Sequence, residues 1–300
     1  MHSKQKTVIA VVGATAVGKT ALGIRLAEHF QTEILSADSR QCYRELNIGV
    51  ARPSEIELKQ VPHHFIATHS IEEEVTAADY AAYALHLSDQ LFQKHDQLVL
   101  VGGTGLYTKA FTSGMDFIPA IDPAIRQQVI TLYTEKGIEG LQTELNRLDP
   151  LFAREGEMQN PQRMMRALEV VWGTGSSILS FRTGLDTPRP FEVQWVGLEL
   201  PRADLIRRID ARVDAMMEQG LLDEVRSLYP HRSRVALQTV GYRELFDYLD
   251  GTCSLDEAVE RIRIATRQYA KRQMTWFRRV PGIQWFHPQD EAGILQYLKD

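Results

Sequence analysis

A glycine-rich loop near the start of the chain has the residues and spacing of a phosphate-binding site. Residues 13–20 read Gly-Ala-Thr-Ala-Val-Gly-Lys-Thr, which fits the pattern G-x-x-x-x-G-K-[ST]. The loop follows an apolar run, residues 7–12, and precedes a predicted helix. In that context backbone N–H groups converge on phosphate oxygens, Lys19 adds a positive charge, and the Thr20 hydroxyl can bind Mg²⁺. The pattern predicts a site for a di- or triphosphate group and does not by itself identify ATP.

Two more segments place polar side chains just beyond predicted strands. Asp38 follows the strand 33–37, and Gly-Gly-Thr at 102–104 follows the strand 97–101. Ligands of open parallel sheets bind outside the carboxyl ends of the strands, so both segments should meet the glycine-rich loop in one crevice. The Asp38 carboxylate can accept a proton or help to hold a metal, or it can merely cap the next turn. The strand 97–101 ends without the acid that nucleotide hydrolases use to hold Mg²⁺, which favours pyrophosphate binding without hydrolysis.

Basic residues are concentrated on a long predicted helix, residues 254–278. From position 261 to 279 there are seven Lys or Arg residues and no Asp or Glu. Arg263, Arg267 and Lys271 recur every four residues and therefore share one helix face. Such a face is most often solvated, but with the aromatic residues interleaved here it also suits phosphates or RNA.

The order of the predicted elements gives the fold class. The predicted strands are residues 7–12, 33–37, 97–101, 193–198 and 283–286. Helices between the first strands imply a parallel sheet with right-handed crossovers. Between residues 119 and 189 we find no buried strand, and three Asp-Pro or Asn-Pro pairs each open a helix. We therefore expect an α/β fold, with a parallel-sheet core like that of P-loop NTPases (residues 1–118 and 190–300) and a helical insertion domain (residues 119–189).

The composition excludes several classes of protein. With 34 Lys and Arg against 39 Asp and Glu, the net charge is −5, which excludes a uniformly basic coat but permits a local basic patch. The only cysteines are Cys42 and Cys253, too few for a disulfide framework or a four-cysteine zinc site, and this suits a reducing cytoplasm. No apolar run approaches the roughly 18 residues of a membrane-spanning helix, so no membrane partner is expected.

Seven motifs appear in order along the chain and together resemble one known family. They are the loop at 13–20, Ser-Ala-Asp-Ser-Arg-Gln at 36–41 with Tyr43, Ile-Gly-Val-Ala-Arg-Pro at 48–53, Gly-Gly-Thr-Gly-Leu-Tyr at 102–107, Pro-Gln-Arg-Met-Met-Arg-Ala-Leu-Glu at 161–169, Val-Gly-Tyr-Arg at 240–243, and Ala-Thr-Arg-Gln-Tyr-Ala-Lys-Arg-Gln at 265–273 with Trp-Phe-Arg at 276–278. This set is similar to that of bacterial tRNA dimethylallyltransferases, also called tRNA isopentenyltransferases. The resemblance covers nearly the whole chain.

The resemblance implies an activity and a set of site residues. Members of that family transfer a dimethylallyl group from dimethylallyl diphosphate to the exocyclic amine of the adenosine 3′-adjacent to the anticodon of tRNA, with Mg²⁺ as cofactor and release of diphosphate. It implies that Asp38 is the general base, that Lys19 and Thr104 also act in catalysis, and that Thr20 binds the metal. The implied diphosphate-binding residues are Gly13, Thr15, Ala16, Val17, Gly18, Lys19, Thr20 and Arg212. The implied tRNA-binding residues are Asp38, Ser39, Arg40, Gln41, Thr104, Arg126, Gln162, Arg163, Met164, Met165, Arg166, Gln238, Thr239, Val240, Gly241, Tyr242 and Arg243.

Three other functions remain open at this point. A P-loop small-molecule kinase would use Asp38 toward its acceptor, although the missing strand-end acid argues against it. A prenyltransferase acting on free adenine nucleotides would share the chemistry but would not need the helical insertion or the basic helix. A non-catalytic RNA-binding module would not need an intact phosphate-binding loop with Lys19. We expect a cytoplasmic monomer whose partners are dimethylallyl diphosphate and the anticodon stem-loop of tRNA.

The chain is acidic overall, but its basic residues are clustered. This clustering predicts RNA binding that weakens as the salt concentration increases. Each phosphate contact contributes a slope of roughly −0.7 to −0.9 to a plot of log affinity against log salt. Replacing Arg163 or Arg166 of the predicted insertion with Ala should reduce that slope by about one if each residue contacts a phosphate. Binding titrations at several salt concentrations measure it. An unchanged slope and affinity in the double variant would remove these arginines from the tRNA interface.

Overall fold

The structure, a computed structural model, describes residues 5–299. Within this range the chain divides into two compact units. Residues 5–113 and 188–299 form the first unit, and residues 114–187 form the second. In the described part of the chain, no helix is both long and apolar enough to cross a membrane.

One parallel sheet forms the centre of the first unit. Its strands are β1 (Thr7–Gly13), β2 (Ile34–Ala37), β3 (His63–His64), β4 (Gln97–Gly102), β5 (Glu192–Leu198) and β6 (Gln284–Phe286). Their order is β3-β2-β4-β1-β5-β6, and every neighbouring pair is parallel. The predicted α/β fold with a parallel sheet is therefore confirmed, with one short strand, β3, that sequence reasoning missed.

Twelve helices accompany the sheet in the described residues. They are α1 (Lys19–His29), α2 (Glu55–Gln60), α3 (Ala77–Leu91), α4 (Gly105–Thr112), α5 (Pro123–Leu148), α6 (Pro150–Glu155), α7 (Pro161–Thr174), α8 (Arg202–Glu218), α9 (Leu221–Leu228), α10 (Tyr242–Leu249), α11 (Leu255–Phe277) and α12 (Glu291–Tyr297). Helices α5, α6 and α7 lie in the second unit, and the other nine belong to the first.

Burial explains the continuous apolar runs of the central strands. Residues 8–12 of β1 are 0–1% exposed, because β4 and β5 pair with β1 on its two edges and helices cover both faces of the sheet. A strand buried on both faces carries apolar residues without alternation. The carboxyl ends of β1, β2 and β4 consequently share one edge, from which the glycine-rich loop, Asp38 and the loop after β4 emerge.

Side-chain caps fix where several helices begin. Ser254 and Glu257 form a capping box at the start of α11, and Thr76 and Asp79 form another at the start of α3. Helix α4 was not predicted, because its first residue is the poor helix former Gly105. Burial of its side chains against the sheet overrides that local preference.

The second unit contains the three helices that the Pro pairs predict. Asp122, Asp149 and Asn160 each accept a hydrogen bond from a backbone N–H of the first turn. Helix α5 is broken at Gly137, whose φ of 59° and ψ of −154° are not helical. Apolar side chains of the three helices pack into a small core of their own.

Candidate active site

A cavity of about 340 Å³ opens at the carboxyl edge of the sheet in the first unit. The glycine-rich loop, the end of β2 and the loop after β4 all line it, together with residues of α8 and α11. Its polar and charged lining residues are Thr15, Lys19, Thr20, Ser36, Asp38, Gln41, Glu57, His63, Arg208, Arg212, Tyr269 and Gln273. The structure thus brings together the groups that the strand-end argument places in one crevice.

The glycine-rich loop ends in the first turn of α1. Gly18 is the N-cap of α1 and has a φ of 112°, a left-handed conformation that favours glycine. Lys19 follows, and its Nζ donates hydrogen bonds to the carbonyl oxygens of Gly13 (3.1 Å) and Ala14 (2.7 Å). The ammonium group therefore lies against its own loop, at the positive end of a helix, where an anion is favoured.

Two half-buried cations, Lys19 and Arg212, line this cavity together. Burial and, to a smaller extent, the neighbouring Arg212 charge lower the pKa of Lys19 to about 7, whereas the Asp38 carboxylate acts to raise it. Burial also lowers the pKa of Arg212. The Arg212 guanidinium donates from Nη1 to the Thr15 hydroxyl (3.3 Å). An anion bound between Lys19 and Arg212 would replace the solvation that these two groups have lost.

Asp38 is held by the turn that it opens. Its Oδ1 accepts hydrogen bonds from the backbone N–H groups of Arg40 (2.8 Å) and Gln41 (3.2 Å). The Oδ2 atom takes no part in these two bonds. Asp38 thus caps the turn and also lines the cavity, while its role as a base or metal ligand stays a prediction.

The loop after β4 approaches α11 closely. A Cβ on Gly103 would lie 2.3 Å from Nε2 of Gln273, which explains why glycine is required there. Thr104 is the N-cap residue of α4, but its side chain makes no capping bond. Its hydroxyl instead accepts from the backbone N–H of Ser39 (3.0 Å) and donates to the Ser39 hydroxyl (3.3 Å). Thr104 therefore ties the β4 loop to the Asp38 turn.

Two residues of α11 belong to the site although sequence reasoning did not propose them. Gln273 accepts from the backbone N–H of Thr15 through Oε1 (2.7 Å) and donates to the Gly103 carbonyl through Nε2 (2.9 Å). Tyr269 lines the cavity one turn earlier, beside the Thr104 hydroxyl. Burial and the Asp38 charge raise the pKa of Tyr269 to about 12, so its hydroxyl stays protonated at neutral pH. The sequence signal was the spacing of 269 and 273, four residues apart on one helix face.

A second, smaller cavity adjoins the first. Its volume is about 120 Å³, and more of its wall is apolar. The two cavities share six lining residues, namely Thr15, Asp38, Val50, Ala51, Arg212 and Tyr269. Four of the predicted tRNA-binding residues, Arg40, Thr239, Val240 and Gly241, line only the second cavity. Asp38 therefore stands where an anion site and a partly apolar pocket meet.

The donor set around the loop fits a hard divalent cation. Thr20 and Asp38 offer a hydroxyl and a carboxylate at the loop, the oxygen ligands that Mg²⁺ prefers. Within residues 5–299, however, no group of three or more His, Cys, Asp or Glu side chains is arranged to hold a metal. A Mg²⁺ ion here would need ligands from a diphosphate and water, which is its usual mode at phosphate sites.

The other predicted tRNA-binding residues of the first unit differ in exposure. Gln41 donates to the carbonyl oxygens of Val50 (3.2 Å) and Ala51 (3.0 Å), and so orders the cavity wall. Gln238 and Arg243 are exposed. Tyr242 is 0% exposed and donates to Glu224 Oε1 (2.6 Å), so its side chain supports the fold, and contact of this residue with tRNA stays a prediction.

The second unit holds the remaining predicted tRNA-binding residues near the starts of α5 and α7. Met164 is 0% exposed in the core of that unit, so its side chain supports that core, and contact of this residue with tRNA stays a prediction. Met165 is half-buried. The exposed predicted residues are Arg126, Gln162, Arg163 and Arg166. Each arginine has a carboxylate neighbour: Glu157 for Arg163, and Glu169 for both Arg126 and Arg166. A phosphate would have to displace these ion pairs. The Arg163–Glu157 pair is exposed on both sides and therefore weak, whereas Glu169 is 7% exposed and would be left buried without its arginine partners.

Much of the basic face of α11 forms ion pairs within the chain. Arg267 makes a bidentate pair with Asp210 of α8, with Nη2 at 2.8 Å from both oxygens. Arg263 pairs with Asp214 of α8 and with Glu260. These pairs join α11 to α8. Lys271, Arg272 and Arg279 form no ion pair with any described residue, and they remain available to phosphates.

Comparisons with known proteins agree on one family. The sequence model of the family described as IPP transferase matches residues 41–280. A tRNA dimethylallyltransferase of Bacteroides thetaiotaomicron is 47% identical over 293 residues, which is 98% of this chain and 95% of the relative. The crystal structure of the full-length tRNA isopentenylpyrophosphate transferase of Bacillus halodurans is 34% identical, with a TM-score of 0.71 over 98% of this chain and 94% of that one.

A eukaryotic dimethylallyltransferase, studied in crystallographic snapshots of its action on tRNA, is 25% identical, with a TM-score of 0.76 over 96% of this chain and 75% of that one. The fold and the cavity define a parallel α/β protein in which a glycine-rich loop and a carboxylate line one cavity. The family match and the identity over nearly the full length then place the chain in the IPP transferase family. The resemblance stated from the seven motifs is confirmed.

The lowered pKa of Lys19 predicts that anion binding is coupled to proton uptake. A bound pyrophosphate favours the charged ammonium, so the pKa of Lys19 must rise from about 7 on binding. Above pH 7 binding then takes up a proton, and affinity falls as pH increases toward the pKa of the bound state. Calorimetry in buffers of different ionisation enthalpy measures the proton count. The Lys19→Arg variant, whose side chain stays charged, is the control for the titration of pyrophosphate itself. Equal proton uptake by the two proteins would contradict the account.

Proposed function

We propose that this protein transfers the dimethylallyl group of dimethylallyl diphosphate to the exocyclic amine of the adenosine 3′-adjacent to the anticodon in tRNA. One observation carries the proposal: Asp38 lines both cavities, between an anion-binding loop and a pocket that four predicted tRNA-binding residues surround. A base at that junction stands between a leaving diphosphate and an attacking amine. Membership of the IPP transferase family supports the same reaction.

The first cavity has a cationic end and an apolar wall, and these match the two parts of dimethylallyl diphosphate. Backbone N–H groups at the start of α1, Lys19 and Arg212 provide the cationic end for the diphosphate. The same cavity has an apolar wall suited to the five-carbon prenyl group. Its apolar residues include Ile34, Val50, Pro53, Ile66 and Val101.

The reaction is a displacement at the first carbon of the prenyl group. The amine nitrogen forms a bond to that carbon while the carbon–oxygen bond breaks, and the bonding electron pair leaves with the diphosphate. An adenine amine is a weak nucleophile because its lone pair is delocalised into the ring. Asp38 accepts the amine proton as the new bond forms, a contribution typically worth about 10²–10⁴ in rate.

Negative charge develops on the leaving diphosphate, and fixed groups of the cavity stabilise it. Lys19, Arg212 and the loop N–H groups are already in place, so little reorganisation is needed. A Mg²⁺ ion held through Thr20 and the diphosphate would add Lewis-acid stabilisation of the leaving group. Arg208 lines the same cavity and adds a third cation.

The acceptor must enter the second cavity as an extruded base. In an anticodon loop the target adenine is stacked, and flipping it out costs a few kcal/mol. Exposed polar and basic side chains beside the pocket and on the second unit can offset that cost through phosphate contacts. We further propose that the protein acts as a monomer in the cytoplasm, where its two free cysteines stay reduced.

A direct assay separates this function from its rivals. Label transfer from dimethylallyl diphosphate is measured to tRNA and to AMP, and phosphate transfer from ATP is measured to each acceptor. The proposal predicts prenylation of tRNA alone. Prenylation of AMP in preference to tRNA would favour the nucleotide-modifying alternative, and phosphate transfer would favour a kinase. Binding of tRNA without either transfer would favour the non-catalytic alternative.

Loss of the Asp38 base should stop chemistry without weakening donor binding. Asp38→Asn keeps an oxygen that can accept the turn hydrogen bonds from Arg40 and Gln41, whereas Asp38→Ala removes it. Single-turnover transfer by Asp38→Asn should fall by about 10²–10⁴. Inhibition by pyrophosphate should be unchanged or slightly stronger, because a negative charge is lost from the cavity. Near-normal transfer by Asp38→Asn would exclude the general-base role.

A further inference from the structure

The place of the reacting carbon can be located from the two cavities. In a displacement, the carbon lies between the leaving oxygen and the attacking nitrogen. If the first cavity holds the diphosphate and the second holds the base, the carbon lies at their junction. The residues shared by both cavities are Thr15, Asp38, Val50, Ala51, Arg212 and Tyr269. Tyr269 is the one aromatic residue among them.

Positive charge develops on this carbon as the reaction proceeds. The carbon–oxygen bond of an allylic diphosphate stretches before the weak amine has fully bonded, and the allyl group shares the resulting charge. The face of an aromatic ring attracts a cation that lies within about 6 Å of its centroid. The attraction is larger where the cation is desolvated, and the Tyr269 side chain is half-buried in the cavity wall.

We propose that the Tyr269 ring stabilises the positive charge on the dimethylallyl group in the transition state. The proposal rests on the proposed function and adds a catalytic residue to it. The ring forms no bond and exchanges no proton. The amine nitrogen bonds to the first carbon, the diphosphate leaves with the electron pair, and Asp38 takes the amine proton.

The surroundings of Tyr269 fix the ring and keep it neutral. Its hydroxyl lies beside that of Thr104, and its high pKa keeps the phenol protonated. The Arg272 guanidinium carbon lies 5.8 Å from the ring centroid, at the outer limit of the cation–π range, so this resident cation uses little of the ring's attraction. Gln273, four residues later, anchors the same part of α11 to both loops.

A graded change in the ring tests the proposal. Tyr269 is replaced by Phe and then by phenylalanines that carry one, two and three fluorine atoms, which weaken the ring's attraction for cations step by step at nearly constant shape. Single-turnover transfer to tRNA should fall with each fluorine, by roughly 10-fold over the series. Tyr269→Leu should lose a similar factor, and pyrophosphate inhibition should not change across the series. The matched control is the same series at Tyr229, whose ring carries Arg232 at 4.4 Å and lines neither cavity.

The outcomes separate a role of the Tyr269 ring from a role of its hydroxyl, and they separate failure of this proposal from failure of the proposed function. A fall in rate that follows the number of fluorines at 269 and not at 229 supports the ring. A large loss on Tyr269→Phe with no further change on fluorination overturns the proposal and assigns the role to the hydroxyl. A transfer rate that does not change across the series, measured beside an active wild-type enzyme, overturns the role of the ring and leaves the proposed function intact. A wild-type enzyme that transfers no dimethylallyl group to tRNA overturns the proposed function itself.

Discussion

A single buried amide holds the two glycine-rich loops of the site together. Gln273 is 6% exposed, and its two ends bond to Thr15 and Gly103, which lie 258 and 170 residues away in sequence. Loss of the amide would leave buried backbone groups without partners, at a cost of about 1–3 kcal/mol for each group. Because Tyr269 lies one turn earlier on the same helix, this amide also sets where the ring meets the cavity. The anion loop, the β4 loop and the wall of the junction therefore depend on one side chain.

The charges of the first unit have two different tasks. Arg263 and Arg267 form ion pairs with carboxylates of α8 and so join that helix to α11. Those two helices carry Arg212 and Tyr269, so the ion pairs help to fix the positions of both residues beside the cavity. Lys19 and Arg212, by contrast, are left with little solvation and with lowered pKa values. The first unit therefore uses some of its cations to join two helices and places two others at the cavity.

Local patterns predicted the frame of the protein, whereas long-range contacts determine much of the site. The runs that became β1 and β4 were recognisable because strands buried on both faces carry apolar residues without interruption. Helix α4 was not predicted, because it begins at Gly105 and glycine is a poor helix former. The burial of Met164 and Tyr242, like the acidic partners of Arg263 and Arg267, depends on residues distant in sequence, and no local pattern indicates them. Tyr269 and Gln273 were visible as residues of a motif, but their roles appear only when α11 is placed against both loops.

In the proposed reaction the diphosphate and the amine act from opposite sides of one carbon, in cavities that meet at Asp38. The stereochemistry at that carbon tests it most directly. Dimethylallyl diphosphate with a single deuterium of known configuration at the first carbon is turned over with tRNA, and the configuration is determined in the modified nucleoside. The arrangement of the two cavities predicts inversion. Retention would require a covalent enzyme intermediate or attack from the side of the diphosphate, and either would contradict the account.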